Sequence, residues 1–205
     1  MTSPGITPPG ITPPGITFPG ITAADWAFRH DPDDWRATLP RRPGAGMAPE
    51  ALPAGMAVML DTSVYISRLR NRLPPAIIAC IDARPVRHSA VACAEMAIGA
   101  GLLDPAHPAT PRNRAAIARL LAALPETDIV APDPAAWTEA GMIAGILART
   151  QHGAAGADGR RRLLNDALLF LSARAAGAAL ISADHADMGR LAGFDPAVPL
   201  VLFAP

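Results

Sequence analysis

Ala57-Val58-Met59-Leu60 runs without a break into Asp61, and a helix-like pattern follows from Thr62 and Ser63 onward. An unbroken apolar run of this kind suits a strand buried on both faces, as in a parallel sheet. Ala178 to Ser182 and Pro199 to Phe203 read as further buried strands, with shorter extended pieces at 85–88 and 128–130. Helical patterns separate them. They cover Val64 to Arg72, Pro75 to Ile81, 89–103, 112–124 after Pro111, Asp133 to Arg149, and Leu163 up to the stop at Gly177. Trp137 and Met142 are expected in the core of the fifth helix. Strands alternating with helices mean an α/β fold with a mainly parallel sheet. Asp61 then lies at a strand's carboxyl end, where open α/β sheets place their ligand crevice. It reads equally as a turn acid, with Thr62 or Ser63 capping the helix.

The 205 residues suit about one domain plus extras, and half of them are hydrophobic, enough for a sizeable core. The formal net charge is zero, so any nucleic-acid partner must be held by local patches or by metal. The chain contains no lysine, which excludes mechanisms that need one. Cys80 and Cys93 sit inside apolar helical patterns and read as core residues in a reducing compartment. No basic segment followed by an apolar one opens the chain, and no window of about 20 residues is apolar enough for a span. A soluble, cytoplasmic protein is expected.

Residues 3–22 repeat SPGIT, PPGIT, PPGIT and FPGIT, a period of five that fits neither collagen nor a helix. An extended, disordered segment of polyproline character is expected. Residues 23–40 set Trp26, Phe28 and Trp35 among charges, as in a short amphipathic piece that docks. His30, Asp31, Asp33 and Asp34 carry metal-binding side chains, but Pro32 breaks the spacing that would aim them together. Residues 41–56 look like a linker. The expected division is a repeat, aromatic segment and linker over 1–56, then one folded domain over 57–205.

Three more acids share special positions with Asp61. Val91, Glu95, Ile98 and Leu102 fall on one helical stripe, placing Glu95 among apolar residues or at the stripe's edge. Leu163, Asp166, Ala167 and Phe170 share a face in the same way, and Asp184 follows the strand that ends at Ser182. In a right-handed parallel sheet the carboxyl ends of neighbouring strands share one edge, so these acids can meet. Carboxylates gathered there repel one another unless divalent cations are present. Oxygen-rich donor sets suit Mg²⁺ or Mn²⁺, which activate water and offset charge on a phosphoryl group. The chemistry indicated is phosphodiester hydrolysis.

The order LDTSVYI (60–66), SAVACAEM (89–96), LLNDALLFLSARAAGAALIS (163–182) and SADHADM (182–188) resembles a PIN domain, and within that superfamily the VapC-type toxins of toxin–antitoxin pairs. The resemblance spans about residues 57–203 and leaves the N-terminal quarter outside it. It implies a three-layer α/β fold with a mainly parallel central sheet, preceded here by the Pro/Gly-rich extension. It implies metal-dependent endoribonuclease activity, with Asp61, Glu95, Asp166 and Asp184 as the catalytic and Mg²⁺- or Mn²⁺-binding acids. Asp187 matches a further recurring acid and joins the metal-binding candidates, and Ser63 and Ser182 match supporting polar positions. Met188 departs from the large apolar residue common there. RNA as substrate, a homodimer and a cognate antitoxin whose C-terminal part fills the site are implied in the same way.

Arg160, Arg161 and Arg162 precede Asp166 closely enough to grip RNA phosphates, or they form a solvated helix start or a contact for an acidic antitoxin. His185 reads as solvated. A receiver domain is excluded by the missing lysine, and a haloacid-dehalogenase-like phosphatase by Ser63 where a second Asp is needed. A PIN-like module that binds RNA or protein without cutting remains the alternative, as does an RNA-processing nuclease outside any toxin–antitoxin pair.

Overall fold

The computed structural model describes residue 25 and residues 29–35, 46–150 and 157–204. The PGIT repeats, Trp26 and Phe28, and the expectations placed on them, lie outside the described residues. The apolar runs form five parallel strands: β1 (Val58–Leu60), β2 (Val86–Ser89), β3 (Ile129–Val130), β4 (Ala179–Ser182) and β5 (Leu200–Leu202). Their order is β3-β2-β1-β4-β5, with Leu60 opposite His88 on one side and Ile181 on the other. The chain builds outward from β1 in one direction and returns on its other side. The switch point therefore falls between β1 and β4, where sheets of this class open a crevice at their carboxyl ends.

Seven α-helices among the described residues cover the sheet: α1 (Thr62–Leu69), α2 (Pro75–Asp82), α3 (Ala90–Gly101), α4 (Thr110–Ala122), α5 (Pro134–Thr150), α6 (Ala157–Ala175) and α7 (His185–Leu191). Strand side chains alternate between faces. Met59, Leu180 and Leu200 pack with α5, α6 and α7, while Val58, Leu60, Ala179, Ile181 and Val201 pack with α1 and α2. The two cores make the three layers. Phe170 and Leu180 are fully buried, and burying one such side chain stabilises by roughly 1.5–3 kcal/mol. Gly177 ends α6 with φ +58°, the left-handed conformation glycine adopts without strain. Cys80 and Cys93 are unpaired thiols. No helix among the described residues is long and apolar enough to cross a membrane.

Three local expectations are corrected. Trp137 is 51% exposed on α5 instead of filling the core. Neither Thr62 nor Ser63 caps α1; Asp61 itself holds the N-cap position, and its carboxylate makes no capping bond. Residues 46–56 pack on the domain rather than linking to it. Gly46 bridges Leu200 in parallel, the Met47 N–H donates to the Leu200 carbonyl at 2.7 Å, and Leu52 is buried. The Arg84 guanidinium donates to the carbonyls of Pro53 (2.6 Å) and Leu52 (3.1 Å). The stretch holds a 3₁₀ turn (Pro49–Ala51), and its proline and glycine do not keep it from packing. A Cβ on Gly46 would meet Leu202 at 3.0 Å, so any larger residue would push Leu202 aside by a few tenths of an ångström.

Residues 29–35 also dock. Asp31 caps a 3₁₀ turn (Pro32–Asp34), Trp35 stacks on Phe194 with ring centroids 4.4 Å apart, and Arg149 donates to the Pro32 and Trp35 carbonyls. His30 reaches Glu139 on α5, Nε2 to Oε1 2.9 Å. The His30–Asp34 cluster therefore serves attachment, on the side of the molecule where α6 ends.

Candidate active site

Asp61, leaving β1, is 7% exposed. Its Oδ2 accepts from two hydroxyls, Ser63 Oγ and Ser182 Oγ, each at 2.6 Å. Each serine oxygen in turn accepts a backbone N–H from the turn after β4: Ala183 to Ser63 (3.0 Å) and Asp184 to Ser182 (2.9 Å). The pair ties the exit of β1 to the exit of β4 across the switch point. Burial, with the nearby Glu95 charge adding to it, raises the Asp61 carboxyl above its ordinary range against these hydroxyl bonds.

Glu95 comes from α3. Thr62 Oγ1 donates to its Oε2 (2.5 Å) and Asn165 Nδ2 to its Oε1 (3.0 Å). The stripe that pointed to Glu95 is only half apolar in the fold: Val91 is buried, but Ile98 is 45% and Leu102 79% exposed. Glu95 is thus held by polar partners at the edge of the core. Thr62 was read from sequence only as a cap and Asn165 was not singled out; their one signal for this role is adjacency to Asp61 and Asp166.

Asp184 and Asp187 open α7. Asp184 Oδ1 accepts the Ala186 and Asp187 N–H groups as the helix cap, leaving Oδ2 to Arg162 at 2.9 Å. Asp187 Oδ1 accepts from Arg190 at 2.6 Å. Arg190, also unforeseen, has a buried Nε without a partner. His185 is exposed and meets the Phe203 carbonyl at 3.2 Å.

Asp166 lies among them on the inward face of α6, beside buried Leu163, Ala167 and Phe170. Its Oδ2 is buried without a hydrogen-bond partner. Burial and the charges of Asp187, Asp61, Asp184 and Glu95 push its carboxyl up to about 8. The other four acids named from sequence thus all act on Asp166. Of the three arginines before them, Arg162 enters the cluster, whereas Arg161 pairs with exposed Asp158 at 3.6 Å and Arg160 is exposed.

The donor set suits a hard divalent cation: carboxylate oxygens, one of them orphaned, with hydroxyls behind them. No three carboxylate, imidazole or thiol side chains among the described residues already converge on one point as they would around an ion. Arg162 occupies the space between Asp166, Asp184 and Asp187. The serines test the support of the site independently. Ser182→Ala removes one of two hydroxyls from Asp61 Oδ2, and a loss of activity of about 10–100-fold is expected, the usual range for a group that orients a ligand. Cleavage assays on the variant and on Ser182→Thr, which keeps the hydroxyl, check it.

The chain belongs to the PIN-domain family, whose model matches residues 58–193. PIN domains are in general nucleases, and those nucleases commonly use divalent metal ions. Among solved structures, a chain of VapBC2 from Rickettsia felis, crystallised with a DNA fragment from their promoter, is similar over 72% of this chain and 99% of that one, at 17% identity and a TM-score of 0.48. No curated protein matches the sequence.

Proposed function

We propose that this PIN-domain protein is a metal-dependent endoribonuclease acting as the toxin of a toxin–antitoxin pair. The observation that carries the reading is Asp166 Oδ2, buried without a hydrogen-bond partner while the charges of Asp61, Glu95, Asp184 and Asp187 act on its carboxyl. Asp61, Glu95, Asp166 and Asp184 would hold Mg²⁺ or Mn²⁺, which supplies charge neutralisation and an activated water for phosphodiester hydrolysis. Ser63 and Ser182 both hold Asp61 Oδ2 and so fix the orientation of its carboxylate. Asp187, whose Oδ1 accepts from Arg190, would offer its Oδ2 to the same ion. Arg160 and Arg161, exposed beside Arg162 on α6, suit phosphate contact. The folded body in this reading begins near residue 46, and two copies are expected to pair.

An acidic antitoxin segment is expected to dock on a second surface. Between α1 and α4 lies a hollow of about 530 Å³. Leu69 there and Ile66 in the adjoining hollow are 42% and 40% exposed, and Arg68, Arg70, Arg112 and Arg119 stand around them. An apolar floor with a basic rim suits an acidic amphipathic segment.

RNA cleavage by the full chain in Mg²⁺, Mn²⁺ or EDTA, beside Asp61→Asn, tests the activity. Cutting that needs metal and disappears in the variant supports the nuclease. Metal binding without cutting of any single-stranded or structured RNA would turn the assignment to the non-cutting module. Silencing by the product of a small neighbouring gene would separate a toxin from an RNA-processing nuclease.

A further inference from the structure

We propose that Arg162 is a placeholder cation, occupying the acid cluster of the metal-free protein and displaced from it when a divalent ion binds. The inference rests on the reading of the acids as a metal site and concerns how that site is kept and filled. Arg162 stands at the start of α6, its side chain 66% exposed, so it can swing out without unpacking anything. Its guanidinium nevertheless faces three acids at once: Asp184 Oδ2 at 2.9 Å, Asp187 Oδ2 at 3.7 Å and Asp166 Oδ2 at 3.9 Å.

The particular oxygens matter. Asp184 Oδ1 is committed to two backbone N–H groups of α7, so Oδ2 is the oxygen it can offer an ion. Arg162 takes that oxygen. Asp166 Oδ2 has no hydrogen bond, and 3.9 Å from Arg162 Nε is too long for one. Its nearest cation is Arg162 all the same. A planar fork with one positive charge cannot satisfy three carboxylates as a small divalent ion would. It keeps them from being left bare. Ion binding would then be an exchange: the carboxylates that Arg162 faces would hold the divalent cation, and the exposed guanidinium would swing away from them.

Mn²⁺ titration of the full chain by calorimetry, with melting curves in EDTA and in saturating Mn²⁺, tests this on wild type, Arg162→Gln and Arg161→Gln. Removing the competing charge is expected to tighten Mn²⁺ binding about tenfold in Arg162→Gln. The same variant should melt lower than wild type in EDTA and gain more from Mn²⁺ than wild type does. Arg161→Gln, which removes the same charge one residue away, should bind Mn²⁺ within about twofold of wild type. Unchanged affinity in Arg162→Gln, with equal melting losses in EDTA and Mn²⁺, would make Arg162 merely structural and overturn the proposal. Weaker binding would overturn it too, because Arg162 would then organise the acids rather than compete for them. If folded wild type and folded Arg162→Gln both fail to bind Mn²⁺, the metal reading itself falls. Binding by Arg162→Gln alone would be the strongest support for the exchange.

Discussion

Asp166→Asn should abolish cleavage and, in the absence of metal, make the protein more stable. Loss of an oriented carboxylate from the centre of the cluster is expected to lower activity by more than about 100-fold, beyond the 10–100-fold typical of a group that only supports a ligand. Stability moves the other way because the site is electrostatically costly without an ion. Burial and four neighbouring acids hold the Asp166 carboxyl near 8, far above an unfolded aspartate. A group whose folded pKa is raised contributes stability that is complete below its unfolded value and is lost as pH rises through the folded value. Metal-free wild type should therefore weaken between about pH 4 and pH 8. Asparagine has no proton to lose and should flatten that slope, by on the order of 3 kcal/mol at the alkaline end. Urea denaturation in EDTA across pH 4–9 checks the slope. A variant that still cuts RNA, or whose pH dependence matches wild type, would show that Asp166 lies outside the site's chemistry.

Glu139→Ala should destabilise the protein by about 3–5 kcal/mol, because breaking a buried pair strands its partner. Glu139 is 3% exposed. Its two oxygens accept from Arg174 at 2.8 and 2.5 Å, His30 lies at 2.9 Å, and Arg29 at 3.7 Å. Burial opposes its charge, yet the Arg174 and His30 bonds outweigh it and hold the carboxyl at about 2. The sign is opposite to that of Asp166. A depressed pKa gives stability that is present above the unfolded value and lost as pH falls from about 4 to about 2. Arg174 keeps Asp195 at 3.5 Å, which places the expected loss toward the lower figure. Urea midpoints at pH 7 and pH 3 separate the cases. A large deficit at pH 7 that shrinks at pH 3 is expected, and equal deficits at both would mean packing, not charge, is what Glu139 provides.

The two acids mark how far local sequence reaches. Asp61 and Asp184 are legible because each directly follows an apolar run, and a strand buried on both faces leaves its carboxyl end only one edge to share. Asp166 is legible from Leu163, Ala167 and Phe170, all buried on the face it shares. Glu95 was found by an incomplete argument: its helical stripe continues into exposed Ile98 and Leu102, and Thr62 and Asn165 hold it in place. Those partners are ordinary residues whose importance lies in contacts across 33 and 70 positions of chain, beyond any local pattern. Glu139, on the inward face of α5, was not distinguished from a surface glutamate because its partners Arg174 and His30 come from distant segments. Residues 46–56 were misread for the same reason, since their composition does not report the distant Leu200 and Arg84 they touch.

Gly46 and Met47 lie alongside β5 at one margin of the sheet, and the opposite margin, β3, is two residues long. Exposed strand margins invite pairing with other chains, and proteins suppress this by shortening or covering them. This fold does one at each side. A partner therefore has little backbone on which to add a strand, and recognition falls to side chains on the helical faces. Shortening the chain to residue 57 would strip the cover from β5 and offer Leu200 to Leu202 as a template for association.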